Sequence, residues 1–270
     1  MSHQPVTGSR RGLPHEGYIE LADLSVWFSS GEPVLDIPRF ELEPGKITVV
    51  AGPTGSGKST LGHALAGLLP YLGARISGTL HIGGKKIALD DADGWKGIRG
   101  RLVRWIPQEP ARAFTVSRPL LSQMLEGIEM SGRIAGKLDW MLETAALPES
   151  RQLAALHPFE MSGGMLQGAA LVSALLPDPM VVVADEPTAH LDPIRSLEIA
   201  RTVTRLAAET SVALLWITHD LRMASALADR IVFLSEGRIV ADGDPELLLD
   251  PSREDSHPIV RASARMALPR

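Results

Sequence analysis

Short apolar runs alternate along the chain with stretches of helical spacing. Residues 18–28 and 34–42 alternate apolar and polar positions, the period of strands with one exposed face. Residues 46–51 form an apolar run that enters a glycine-rich turn, and residues 59–68 then follow helical spacing. A strand pair is predicted around residues 80–87, turning at Gly83-Gly84, and a short strand at 102–106 ends at Pro107. Residues 117–147 space Leu, Met and Ile as a helix does, with breaks predicted at Gly132 and Gly136. An Ala-rich helix at 162–176 stops at Pro177. There follow strand 180–184, helix 194–208, strand 212–217, helix 221–227, and a hairpin of 231–235 with 238–241.

Strands that alternate with helices imply a parallel sheet with helices on its faces. The mostly helical residues 110–159 interrupt that alternation and read as an inserted subdomain. Residues 1–16 are polar and are expected to form a mobile tail, and residues 251–270 a short C-terminal extension. The longest apolar stretches are strand-length, whereas a membrane-spanning helix needs about 20 mostly apolar residues. The N-terminus lacks the apolar centre of a signal peptide, so a membrane role would come through partner proteins.

Composition narrows this further. A chain of 270 residues with 44% hydrophobic content suffices for one large domain, or one domain with an inserted subdomain. The net charge of −5 is spread along the chain without a basic stripe, so no nucleic acid partner is expected. With no cysteine, disulfides, iron–sulfur clusters and thiolate zinc sites are excluded, which suits a reducing cytoplasm.

The chemistry begins at Gly52-Pro53-Thr54-Gly55-Ser56-Gly57-Lys58-Ser59, followed by Thr60. This is a phosphate-binding loop in its required context, strand before and helix after. Glycines let the backbone N–H groups turn toward an anion, and the helix N-terminus adds partial positive charge. Lys58 suits the terminal phosphates of ATP, and the Ser59 hydroxyl suits Mg²⁺. A second apolar strand ends in Asp185-Glu186 and is expected to lie beside the phosphate-loop strand. Asp185 would hold Mg²⁺, and Glu186 would polarise the water attacking the γ-phosphate.

Further motifs follow in order. His157-Pro158-Phe159-Glu160-Met161-Ser162-Gly163-Gly164-Met165-Leu166-Gln167 resembles the signature loop of ATP-binding cassette (ABC) proteins, although Ser162 would equally serve as a helix N-cap. Gln108 resembles the family's Q-loop glutamine, which touches Mg²⁺ or the lytic water. His219 resembles its switch histidine, and Asp192, in Ala189-His190-Leu191-Asp192, its D-loop at the dimer interface. Phe28 stands where the family stacks an aromatic on adenine, with Trp27 as the competing candidate. The resemblance covers residues 18–250. It implies an α/β fold: a P-loop NTPase (RecA-like) core with a small antiparallel β subdomain and an inserted α-helical subdomain. Its cassette would span 17–250, with the core at 17–109 and 160–250. It also implies an ATPase acting in a head-to-tail dimer, in which Ser162, Gly163, Gly164 and Met165 cap the nucleotide of a second ABC ATPase subunit. The implied setting is the cytoplasmic face of the cell membrane, bound to transmembrane permease subunits.

Within that family, Ile98-Arg99-Gly100, Gln108-Glu109-Pro110, Gln123 with Glu126, Ala184-Asp185-Glu186-Pro187-Thr188 and Ser256-His257-Pro258 resemble the oligopeptide, dipeptide and nickel importer branch. That branch works with an extracytoplasmic solute-binding protein. The chain departs from it in having no cysteine, in Gly168 where relatives usually carry Arg, and in Ala189-His190 before Leu191-Asp192. The alternative is a non-transport cassette acting on DNA or ribosomes. Such proteins insert long coiled coils or zinc modules, or carry two cassettes, whereas the gap here is about fifty residues of short helix.

Overall fold

A computed structural model describes residues 18–189, 192–250, 252 and 257–267. The expected tail at 1–16, His190 and Leu191 of the Asp192 loop, and Ser256 lie outside the described residues. The strands are β1 (Ile19–Trp27), β2 (Leu35–Leu42), β3 (Ile47–Ala51), β4 (Arg75–Ile82), β5 (Lys85–Ala88), β6 (Val103–Ile106), β7 (Val181–Asp185), β8 (Ala213–Ile217), β9 (Arg230–Ser235) and β10 (Arg238–Gly243). The helices are α1 (Lys58–Leu65), α2 (Leu120–Met124), α3 (Gly132–Thr144), α4 (Ser150–Leu153), α5 (Gly163–Leu175), α6 (Pro193–Ala208), α7 (Leu221–Leu227), α8 (Pro245–Leu248) and α9 (Pro258–Ala267).

Two sheets form. One is antiparallel, in the order β2-β1-β4-β5. The other has six strands in the order β10-β9-β3-β8-β7-β6, parallel except where β10 turns back on β9. Strands β3, β7 and β8 are buried at every position, as a sheet covered on both faces requires. Successive side chains on each strand enter different cores. Val49, Val182, Leu214, Trp216 and Phe233 join α5, α6, α7 and α9 on one face. Val50, Val183, Leu215, Ile217 and Val232 join α1 and the antiparallel sheet on the other. This is the α/β P-loop architecture with an antiparallel β unit.

Two expectations need correction. First, β7 does not lie beside the phosphate-loop strand β3; β8 stands between them, paired to both. A strand's neighbour is set by long-range pairing that adjacent sequence does not encode. Second, Gly136 does not break the helix. It lies inside α3, whose burial of Ile134, Leu138, Met141 and Leu142 outweighs a glycine penalty of roughly 1 kcal/mol, whereas Gly132 stands at a boundary as the first residue of α3. The interruption comes earlier, after α2, where Gly127 adopts φ +75°. The short extension after residue 250 carries helical structure. Its helix α9 buries Val260 and Ala264, one turn apart, in the core that also holds α7.

Candidate nucleotide site

Of the five parallel strands, β3, β8, β7 and β6 each lead into a motif, and their carboxyl ends share one edge. That edge is where ligands bind in open α/β sheets. The sequence places a motif directly after each strand: the glycine loop after β3, Gln108 after β6, Asp185-Glu186 at the end of β7, and His219 after β8.

The glycine loop is wedged in place. Gly52 has φ +148°, and a Cβ there would stand 2.1 Å from the Leu234 carbonyl oxygen, so only glycine fits against β9. Gly237, in the β9–β10 turn, donates its N–H to the Ser56 carbonyl at 3.1 Å, tying the hairpin to the loop. Ser56 is buried, while Pro53, Thr54 and Gly55 are exposed, Gly57 is half-buried with φ +101°, and Thr60 is half-buried. The Lys58 ammonium is buried and donates to the carbonyls of Gly52 at 2.9 Å and Pro53 at 2.8 Å. Burial pulls its pKa below the ordinary lysine value, while Glu186 and Asp185 pull the other way.

Ser59 Oγ donates to Asp185 Oδ1 at 3.1 Å. Burial pushes the Asp185 carboxyl above the usual aspartate range, opposed by the Ser59 hydrogen bond. Among the described residues, no cluster of three or more His, Cys, Asp or Glu could hold a metal alone. A hydroxyl and one carboxylate side by side fit magnesium, which takes few protein oxygens and completes its shell with phosphate and water.

Glu186 follows β7 with φ +42°, a left-handed conformation uncommon for a non-glycine residue. Its N–H donates to the Ile217 carbonyl of β8 at 2.9 Å. His219 Nδ1 lies 2.9 Å from Glu186 Oε1. Thus β7 and β8, paired Asp185 to Ile217, bring the two side chains together. They line an open cavity of about 390 Å³ with Thr188, Leu197 and Thr218. Gln108 sits exposed two residues beyond β6, on the same edge. Asp220, which the motif does not mark, accepts from the N–H groups of Arg222 and Met223 and so starts α7 directly after His219. An Asp before an apolar helical run is the signal for such a cap.

The remaining motif residues stand elsewhere. Ser162 is the N-cap of α5, its Oγ accepting from the Met165 N–H at 3.3 Å. Gly163 is exposed, and Gly164 and Met165 are half-buried. Helix α5 belongs to one core and α1 to the other, so the two glycine-bearing helix starts rise from opposite faces of the sheet. Asp192 Oδ1 accepts from the N–H groups of Ile194 and Arg195, both at 3.1 Å, and starts α6. Phe28 is 51% exposed just past β1, whereas the Trp27 ring carries the Arg75 guanidinium 4.5 Å from its centre. Gly168 is buried on α5, where an added Cβ would meet Ala145 and Leu147 at ordinary contact distances.

A phosphate loop, a hydroxyl–carboxylate pair beside it, and a Glu–His pair at the same sheet edge define a nucleoside-triphosphate-hydrolysing P-loop domain. A family model described as ABC transporter matches residues 35–189. The nickel import ATP-binding protein NikD of Rhodospirillum rubrum is 32% identical over 220 residues, covering 80% of this chain and 82% of that protein. The phosphate import ATP-binding protein PstB of Aeropyrum pernix is 29% identical over 241 residues, covering 87% of this chain and 94% of that protein. In fold, the chain is similar to the dimeric structure of MJ0796, a bacterial ABC transporter cassette, with a TM-score of 0.68 at 24% identity; the match covers 84% of this chain and 98% of that one. The chain belongs to the ABC transporter family. It is an ATPase of that family, using ATP with Mg²⁺.

Proposed function

We propose that the chain drives solute import by an oligopeptide, dipeptide or nickel type transporter, as one half of a head-to-tail ATPase pair. Its partners are transmembrane permease subunits, a second ABC ATPase subunit and, through the permeases, an extracytoplasmic solute-binding protein. It sits on the cytoplasmic face of the membrane; among the described residues no helix is long and apolar enough to cross one. The 32% identity to NikD supports the nickel type, beside the branch motifs at Gln108-Glu109-Pro110 and Gln123.

One observation carries the pairing: the helices behind the phosphate loop and the signature loop pack on opposite sheet faces. A signature serving a phosphate therefore serves one held by another molecule. The exposed apolar residues Ile194, 73% accessible, and Leu197, 42% accessible, stand on α6 beside the Glu186–His219 cavity and suit burial in such a pair. The MJ0796 cassette is itself dimeric.

In this mechanism the loop from Gly52 to Thr60 holds the phosphates, with Lys58 compensating their charge. Bound magnesium would be held by Ser59 and Asp185, with Gln108 on the same sheet edge, and would supply charge neutralisation on the phosphate oxygens. Glu186 orients and polarises water for in-line attack, and His219 holds Glu186 and approaches the γ-phosphate. Phe28 offers an open ring face for adenine. Ser162, Gly163, Gly164 and Met165 close over the partner's nucleotide, with Asp192 at the seam. Loss of the γ-phosphate removes that bridge, and the pair opens.

The test uses the chain assembled with its permeases in lipid. Glu186→Gln should retain ATP, accumulate as a closed pair, and lose turnover by roughly 10²- to 10⁴-fold, the span of a general base. Turnover at the unmodified rate would place the chemistry elsewhere. Uptake of labelled peptide, Ni²⁺ and phosphate by the same vesicles assigns the solute; phosphate uptake alone would refute the branch.

A further inference from the structure

Arg195 lies in the first turn of α6, three residues beyond Asp192. Asp192 grips it twice: the Arg195 N–H donates to Asp192 Oδ1 at 3.1 Å, and Arg195 Nε lies 3.6 Å from Asp192 Oδ2. The far side of the guanidinium reaches across to the other helix. A Cβ built on Gly164 would stand 3.0 Å from a terminal nitrogen of Arg195. A terminal nitrogen of the guanidinium therefore lies beside the second residue of α5, in space that a side chain there would crowd. It is not sunk in the core; its side chain is 52% exposed at the mouth of the signature loop.

The signature turn itself is short of charge. Gly163, Gly164, Met165 and Leu166 carry no ionisable group, and Ser162 is engaged as the N-cap. Met165 brings a thioether, a weak acceptor with no proton to donate. What remains is the partial positive charge of a 13-residue helix, roughly half an elementary charge. A terminal phosphate carries charge on several oxygens, and a guanidinium fork matches such a group better than any other side chain.

We propose that Arg195 is a binding residue for the terminal phosphate of the nucleotide held by the opposite subunit, reaching it across Gly164. Asp192 aims the fork from behind, and Gly164 provides the gap through which it faces the partner. The cation supplies in trans what Met165 does not, as an arginine finger does in other phosphoryl-transfer enzymes. This proposal rests on the head-to-tail pairing proposed above.

The experiment measures ATP-dependent pairing of the full chain with its natural cassette partner in the slow Glu186→Gln background, by sedimentation, with ADP as control. Arg195→Ala should weaken ATP-dependent pairing by about 10- to 100-fold, the range of a charged hydrogen bond. Arg195→Lys should recover part of that loss, and added guanidinium should restore part of it to Arg195→Ala. Thermal unfolding of each variant excludes a folding defect as the cause. Pairing of Arg195→Ala at the parent strength overturns the proposal, and so does a loss that neither lysine nor guanidinium relieves. If the parent itself fails to pair with ATP, the head-to-tail reading falls, a result separable from failure of Arg195 alone.

Discussion

The two glycine-rich helix starts of this molecule look alike in sequence and differ in construction. The loop before α1 carries its own cation, its own hydroxyl–carboxylate pair, and glycines at φ +148°, +81° and +101° that turn the backbone inward. It is braced by β9 through Gly52 and by the β9–β10 turn through Gly237. The loop before α5 has ordinary helical glycines, a capping serine, and open space where a Cβ on Gly163 would stand. On the proposed reading, the first is an anion site whose parts all lie in this chain. On the same reading, the second is a capped helix start that serves a ligand held by another subunit. The difference shows that a glycine-rich helix N-terminus acquires a role from what is buried behind it.

That contrast can be broken in three places, in falling order of effect. Lys58→Ala removes the buried cation from the first loop. Nucleotide affinity, read with a fluorescent ATP analogue, should fall on the order of 10- to 100-fold, the worth of charge-assisted hydrogen bonds. Unchanged affinity would remove the distinction between the loops. On the signature side, only scaffold is at stake. Gly136 lies inside α3 with nothing within 4 Å of an added Cβ, so Gly136→Ala should raise stability by about 0.5–1 kcal/mol in urea unfolding, without altering nucleotide affinity.

The smallest effect is electrostatic. Lys137 on α3 donates to the carbonyls of Leu175 and Leu176 at the end of α5, and pairs with Asp178, which also pairs with Arg133 at 3.1 Å. Despite burial, which acts upward, these partners hold the Asp178 carboxyl below the usual aspartate range. A depressed acid stabilises the fold above its unfolded pKa of about 4, and that contribution disappears as pH falls through the lower folded value. Asp178→Asn should therefore cost a few tenths to about 1 kcal/mol at neutral pH, discounted because the group is partly exposed, and nothing at the acid limit. A gap between variant and parent that persists under acid would point to packing at Asp178 instead.

What could be read from the chain follows the same division. The loop from Gly52 to Ser59 was legible because its glycines, lysine and serine act within one turn, and local chemistry leaves a local pattern. The ends of β7 and β8 were legible as acidic and histidine-bearing strand ends. Their order in the sheet was not, because β8 comes to lie between β3 and β7 through pairings between distant segments. Gly136 reads as a break because propensity is local, whereas the burial that holds α3 together is not. Helix α9 was missed for a related reason: its two buried positions, Val260 and Ala264, gain their meaning only from the core they enter. Arg195 left no mark in sequence because its neighbour Gly164 arrives from another helix.

The backbone at Glu186 has a consequence for how this protein can change. A non-glycine residue at φ +42° carries on the order of 1–3 kcal/mol of conformational strain, and two neighbours hold it there: the Ile217 carbonyl, and the Ala189 N–H bonded to its own carbonyl at 3.0 Å. Replacement by glycine would relax the chain and remove the carboxylate paired with His219, leaving Asp185 beside Ser59. Under the mechanism proposed for Glu186, heat resistance and turnover pull in opposite directions at this one position, so a lineage drifting toward sturdiness would reach a durable, inert cassette by a single residue change.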